Sequence, residues 1–114
     1  MNTICGESYK VVREENARVA FKGALRLTGT EEYAPILALL TATVEDTPAG
    51  VTIDLRELEF LNSSGITMLS RFVIYVRDRT GISLEFLASA RVAWHARSLT
   101  NLQRLMPAAS VVLI

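Results

Sequence analysis

Two adjacent serines followed by a glycine are the residues best placed to do chemistry. They lie in Asn62-Ser63-Ser64-Gly65, between an apolar run that ends at Leu61 and a helical pattern that begins near Ile66. A small hydroxyl at a helix start can accept a hydrogen bond from an unpaired backbone N–H group. It can also carry a phosphoryl group, whose negative charge suits a helix N-terminus. The residues alone leave both roles open for the two serines.

Nucleophilic catalysis fits this turn poorly. Ser63 has Gly65 two residues downstream, but Leu61 stands where a nucleophile elbow needs its other glycine. His95 is the only histidine, and a lone histidine is more often structural than catalytic. The sequence contains no Gly-x4-Gly-Lys phosphate-binding loop. We therefore predict that the chain is not an enzyme.

The composition predicts one globular domain spanning residues 1–114, because half of the residues are apolar and only 21% are charged. Cys5 is the only cysteine, so a cysteine-built metal site is excluded, and we expect no metal or other cofactor. No apolar run approaches the roughly 20 residues that span a bilayer, and no signal peptide is recognisable. We expect a cytoplasmic protein without a membrane span.

Charge is divided unevenly along the chain. Residues 1–60 contain six basic and ten acidic residues, whereas residues 61–114 contain six arginines and two acidic residues. No basic run is rich in aromatic residues, so we do not expect nucleic acid to be a partner. The asymmetry suits charged surfaces that meet a protein partner, or an ordinary solvated surface.

Hydrophobic patterns predict eight elements in the order β-β-α-β-α-β-α-β. The first two are strands joined by a hairpin turn at residues 15–17. Thr28-Gly-Thr-Glu31 has the spacing of a capping box for the first helix, with Pro35 expected in its first turn. Strands are then predicted at Val51–Leu55, Ser83–Leu87 and Val111–Ile114, and helices from Ile66 and from Val92. The predicted fold class is α/β, with one mixed sheet and helices packed against it.

The helix after the serine turn carries two apolar stripes. The first consists of Ile66, Leu69, Val73 and Val76, and the second of Met68, Phe72 and Tyr75, with Arg71 beside it. If the second stripe is exposed, it would bind a partner helix or a second copy of the chain. The alternative is a helix buried on both stripes. Trp94 is a weaker candidate for partner binding, since it could also cover a sheet edge.

Several of these residues together resemble a known family. Asp54-Leu at a strand end, followed by Phe60-Leu-Asn-Ser-Ser-Gly-Ile66 leading into a helix, is similar to the signature of STAS domains. The resemblance is specifically to anti-sigma factor antagonists of bacterial partner-switching systems. It covers nearly the whole chain, since Ala90-Arg-Val92 and Leu99 fall where the last helix of the family begins.

The resemblance implies a binding protein of signal transduction that is switched by phosphorylation. In the family, an anti-sigma factor-like serine kinase phosphorylates the first serine of an Asp-Ser-Ser-Gly turn, and a PP2C-type phosphatase reverses this. That position is Ser63 here, with Ser64 as the second candidate for a phosphosite or helix cap. A phosphoryl group would disrupt the partner interface by charge and desolvation.

The sequence departs from the family at Asn62, where many relatives have aspartate. The alternative function is a STAS module that binds its partner constitutively within a signalling or lipid-transport assembly.

Overall fold

Six strands and three helices make up the part of the chain that the computed structural model describes, which is residues 2–47 and 49–114. The predicted α/β class with one mixed sheet is confirmed. The structure adds one short strand before the predicted elements. In chain order the elements are β1 (Thr3–Cys5), β2 (Tyr9–Glu14), β3 (Arg18–Leu25), α1 (Gly29–Asp46), β4 (Gly50–Leu61), α2 (Ser63–Arg77), β5 (Ser83–Ala88), α3 (Ala93–Gln103) and β6 (Ser110–Leu113).

The strands lie in the sheet in the same order as in the chain. Strands β1, β2 and β3 are antiparallel, whereas β3, β4, β5 and β6 run parallel. Each helix connects two neighbouring parallel strands. Because parallel crossovers are right-handed and these all advance in one direction, the three helices lie on the same face of the sheet. Helix α2 therefore packs between α1 and α3.

The N-terminal hairpin forms where the sequence predicted it. Asn16 and Ala17 have φ of 62° and 57°, in the left-handed region that tight hairpin turns require. Asparagine adopts this conformation readily, and it is a typical turn former.

Helix α1 begins as predicted after Thr28, but the details of its start differ. The Thr28 side chain makes no capping hydrogen bond, and Glu32, not Glu31, accepts one from the Thr28 N–H at 2.8 Å. Pro35 lies beyond the first turn, inside the helix. It has no N–H to donate to the Glu31 carbonyl. Its exposed position leaves water free to reach that carbonyl.

Strand β4 is more than twice as long as predicted and runs to the serine turn. It pairs with β5 only over Gly50–Asp54, but it pairs with β3 as far as Leu61. Side chains from the start of α3 cover the edge that β5 leaves free. The Leu58 carbonyl bonds to the His95 ring at 2.9 Å, and the Glu59 carbonyl accepts from the Trp94 indole N–H at 2.9 Å.

The core lies between the sheet and the helices, and it contains most of both stripes of α2. Met68 is 3% exposed and Phe72 is fully buried. Of the two alternatives that the sequence left open for the second stripe, burial is therefore the one found for these two residues. The reason is the position of α2, which is covered by the sheet and by a helix on each side.

Candidate functional site

The serine turn lies at the carboxyl edge of the parallel strands. Strand β4 ends at Leu61, which is paired with Leu25 at the end of β3, so the turn is next to the loop that leads into α1. Ligands and reactive groups of α/β proteins usually lie at this edge.

The Asn62 side chain holds the turn together. Its Oδ1 accepts hydrogen bonds from the Gly65 N–H at 3.0 Å and from the Tyr33 hydroxyl at 2.7 Å. Its Nδ2 donates to the Leu27 carbonyl at 2.7 Å. Asn62 is thus the N-cap of α2 and connects that helix to α1 and to the loop before α1.

These contacts explain why residue 62 is an asparagine here, although the family that the sequence resembles often has an aspartate at this position. An aspartate could accept the hydrogen bonds from Gly65 and Tyr33. Once ionised, it could not donate to the Leu27 carbonyl and would place two acceptors together. The asparagine therefore satisfies all three partners of the turn.

Neither serine caps the helix. Ser63 is exposed and Ser64 is half-buried, and neither hydroxyl hydrogen-bonds with any residue in the described part of the chain. The capping role considered for both serines is therefore wrong, because Asn62 performs it. The Ser63 hydroxyl is left free and accessible at the first position of α2.

Gly65 is required by close packing. A Cβ at this position would lie 2.2 Å from Cδ1 of Leu61 and 2.8 Å from the Tyr33 hydroxyl oxygen. Both neighbours are buried, and the Tyr33 hydroxyl is fixed by its bond to Asn62. The first turn of α2 thus packs against α1 only because residue 65 has no side chain.

Tyr33 is a part of the site that the sequence did not indicate. It is 1% exposed and lies 29 positions before Asn62. Burial raises the pKa of the Tyr33 hydroxyl, which a backbone hydrogen bond at Leu27 offsets only in part. The hydroxyl therefore remains a donor to Asn62.

His95 is structural and cannot serve as a base for either serine. It is fully buried, and Nδ1 accepts a hydrogen bond from the Ser89 N–H at 3.0 Å. Nε2 must therefore carry the proton and donate to the Leu58 carbonyl. The half-buried Trp94 packs edge-on against His95 with ring centroids 4.4 Å apart.

A groove of about 520 Å³ runs between α1 and α2 and starts beside the serine turn. Its lining includes Ser64, Met68 and Arg71 of α2. Near the far ends of the two helices, Tyr75 donates a hydrogen bond to Glu45 at 3.1 Å and lies under the Arg79 guanidinium. Met68 and Arg71 thus line one groove with Ser64, whereas Phe72 lies beneath the surface.

Neither a metal-binding cluster nor a membrane-spanning helix is found within residues 2–47 and 49–114. No cluster of three or more histidine, cysteine or acidic side chains is arranged there to hold a metal ion. None of the helices found there combines the length and apolar character that crossing a membrane requires.

The described fold is STAS-like, and it is shared with two solved structures. One chain of the crystal structure of the diguanylate cyclase SiaD in complex with its activator SiaC, from Pseudomonas aeruginosa, aligns with a TM-score of 0.75 and 13% identity. The alignment covers 99% of this chain and 98% of that chain. SiaC of Pseudomonas aeruginosa aligns with a TM-score of 0.65 and 16% identity, over 99% of this chain and 96% of that chain. No protein-family model and no curated protein matches the sequence.

Proposed function

We propose that this chain is an anti-sigma factor antagonist-like regulator that binds a protein partner and releases it when Ser63 is phosphorylated. The observation that carries the proposal is the free Ser63 hydroxyl. It is exposed at a helix start, and Asn62 already performs the capping that would otherwise explain a serine there. Both ring nitrogens of His95 are hydrogen-bonded to the backbone, which supports a binding protein rather than an enzyme.

The position of Ser63 favours a switch that changes the surface and leaves the fold intact. A phosphoryl group at the first position of α2 would lie near the positive end of the helix dipole, where negative charge is stabilising. We therefore expect phosphorylated protein to stay folded. The added charge of about −1.5 to −2 would weaken binding to a partner that covers the turn.

The partners in this proposal are proteins. A serine kinase related to anti-sigma factors and a PP2C-type phosphatase would act on Ser63, as in the family that the sequence resembles. The regulated partner could be a signalling enzyme, by analogy with SiaC, which is described as the activator of a diguanylate cyclase.

Binding by two Ser63 variants tests the switch. The partner is first identified by pull-down with Ser63→Ala protein and purified. We then expect Ser63→Ala to bind it as the unmodified chain does, and Ser63→Asp to bind at least about tenfold more weakly. Thr80→Asp is the matched control, since Thr80 is exposed and follows the opposite end of α2. Equal binding by both Ser63 variants would exclude a switch at this serine.

A constitutive binding module is the second candidate, and the amide at Asn62 favours it. An aspartate beside the phosphosite is common in the resembling family, and Asn62 removes that charge. In this case the protein would belong permanently to a signalling or lipid-transport assembly, and Ser63 would be an ordinary surface residue. The comparison of Ser63→Ala with Ser63→Asp separates the two candidates.

A further inference from the structure

The groove between α1 and α2 has the length of a short helix. The two helices run in parallel and in step, because Tyr33 of α1 contacts Asn62 at one end and Glu45 contacts Tyr75 at the other. The groove is lined along α1 from Thr30 to Thr41. At 1.5 Å per residue this is about 16 Å, or about three helical turns.

The middle of the groove is apolar, and its small side chains would allow a bound helix to come close to α1. Ala34 and Ala38 are exposed and one turn apart on α1, and they leave space between the two helices. Leu37 and Met68 form the apolar sides, and methionine adapts its shape to what it packs against. An apolar helix face could therefore be buried here.

The two ends of the groove carry opposite charges. Glu31 lies at the end near Ser64, and Arg71 lies two turns further along α2. Both side chains are exposed. Neither forms an ion pair within 4.0 Å with any residue that the structure describes.

We propose that this groove binds an amphipathic helix of about three turns from a partner protein, with a basic residue facing Glu31 and an acidic residue facing Arg71. The proposal rests on the proposed function, since it identifies where and by what chemistry the partner binds. A second copy of the chain fits less well. A symmetric dimer through this face would set two concave surfaces against each other and leave a cavity between them.

Charge pairing can be tested with three synthetic peptides of 18 residues, each held helical by a staple on its outward face. Their apolar faces are identical. The two charged positions are eleven residues apart, which places them on one face about three turns from each other. One peptide carries lysine and glutamate, the second two lysines, and the third two glutamates. This design needs no assumption about the direction in which the helix binds.

The unmodified chain should bind the lysine–glutamate peptide about two- to fivefold more tightly than either of the others, as expected for exposed ion pairs. Arg71→Glu should shift the preference to the two-lysine peptide, and Glu31→Lys to the two-glutamate peptide. Binding is measured by fluorescence anisotropy. No binding by any peptide, or equal binding that the charge variants do not change, would refute the proposal.

Ala38→Arg tests whether the peptide binds in the groove. The arginine side chain fills the groove, so we expect binding of the lysine–glutamate peptide to weaken at least about tenfold. Ala42→Arg is the matched control, because Ala42 is exposed on the same helix outside the groove. Equal loss in both variants would contradict the proposal.

A second copy of the chain is the other possible occupant of the groove. Sedimentation of both variants and of the unmodified chain tests this by measuring their oligomeric states. A dimer that Ala38→Arg alone dissociates would identify a second copy as the occupant and overturn the proposal. Since these peptide experiments do not involve phosphorylation, their failure would leave the Ser63 switch to be judged by its own variants.

Discussion

At the scale of single residues, the residues that fix the serine turn differ from the residue proposed to be the switch. Asn62 makes the three hydrogen bonds that fix the turn, and Gly65 allows the close packing. Ser63 takes part in neither. A residue that contributes little to folding can be modified without unfolding the protein, which is what a reversible switch requires.

Stability measurements can test this separation directly. Asn62→Ala should lower the free energy of unfolding by about 2 kcal/mol, because the helix loses its cap and the partners at Tyr33 and Leu27 are left unpaired. Ser63→Ala should change it by less than about 0.5 kcal/mol. Both changes can be measured by urea unfolding monitored by circular dichroism. A cost of about 1 kcal/mol for Ser63→Ala would mean that Ser63 is a cap after all.

Asp54 gives a second prediction at this scale. Its carboxylate accepts hydrogen bonds from Nε and Nη2 of Arg56 at 2.9 and 2.7 Å, and Arg18 lies 3.9 Å away. The hydrogen-bonded Arg56 side chain is the main reason that the pKa of Asp54 lies below its usual value, although burial acts in the opposite direction. The native state therefore binds a proton at Asp54 less readily than the unfolded chain does.

The stability that Asp54 contributes should be fully present above about pH 4 and lost as the pH falls through the lowered pKa of the native state. Asp54→Asn should therefore be less stable than the unmodified chain at neutral pH, with a difference that shrinks below about pH 4. Unfolding curves between pH 2 and 7, roughly the range of carboxyl titration, measure this. A difference independent of pH would contradict the account.

The residue types of the site could be predicted from the sequence, but the bonds among them could not. Ser63, Ser64 and Gly65 are recognisable because they interrupt an apolar run at a strand-to-helix junction. The partners of Asn62 are 29 and 35 positions away in the chain. No local pattern connects them, so only the fold reveals which side chain caps α2.

At the scale of elements, the position of the serine turn depends on the half of β4 that pairs with β3 but not with β5. Beyond Asp54, β5 no longer pairs with this strand, and the start of α3 covers that edge instead. The buried His95 bridges the Leu58 carbonyl and the Ser89 N–H. It thereby joins β4 to the loop between β5 and α3.

His95→Ala should lower the free energy of unfolding by about 2–4 kcal/mol, since it leaves the buried Leu58 carbonyl and the partly buried Ser89 N–H unpaired and opens a cavity. Trp94→Phe, which removes the indole hydrogen bond to Glu59 and keeps a smaller aromatic ring beside His95, should cost about 1 kcal/mol. Urea unfolding of both variants tests this ranking. An equal or smaller cost for His95→Ala would show that the histidine does not join these elements.

Most elements could be predicted from the sequence because each contains enough residues to show a hydrophobic period. Strand β1 has only three residues, too few to show a period. The burial of Met68 and Phe72 depends on α1 and α3 flanking α2, which the pattern of α2 alone does not contain. The end of β4 has no single apolar run that a sequence pattern could reveal, because its mixed residues pair with β3 and are covered by side chains of α3.

At the scale of the whole molecule, the topology brings the candidate site together. All three helices follow parallel strands and begin at the same edge of the sheet, with the turn at Ser63 in the middle of the three. The groove between α1 and α2 opens at that edge, with Ser64 in its lining. A charge placed on Ser63 would therefore lie beside the surface proposed to bind the partner.

The central claim is that Ser63 is phosphorylated in the cell, and mass spectrometry of the protein from its own cells tests it most directly. Intact mass is measured in several growth conditions, and the peptide containing Asn62-Ser63-Ser64-Gly65 is then fragmented to locate any modification. We predict a partial population that carries one phosphoryl group on Ser63. A peptide that stays unmodified in every condition, or a phosphoryl group found only on another residue, would contradict the account.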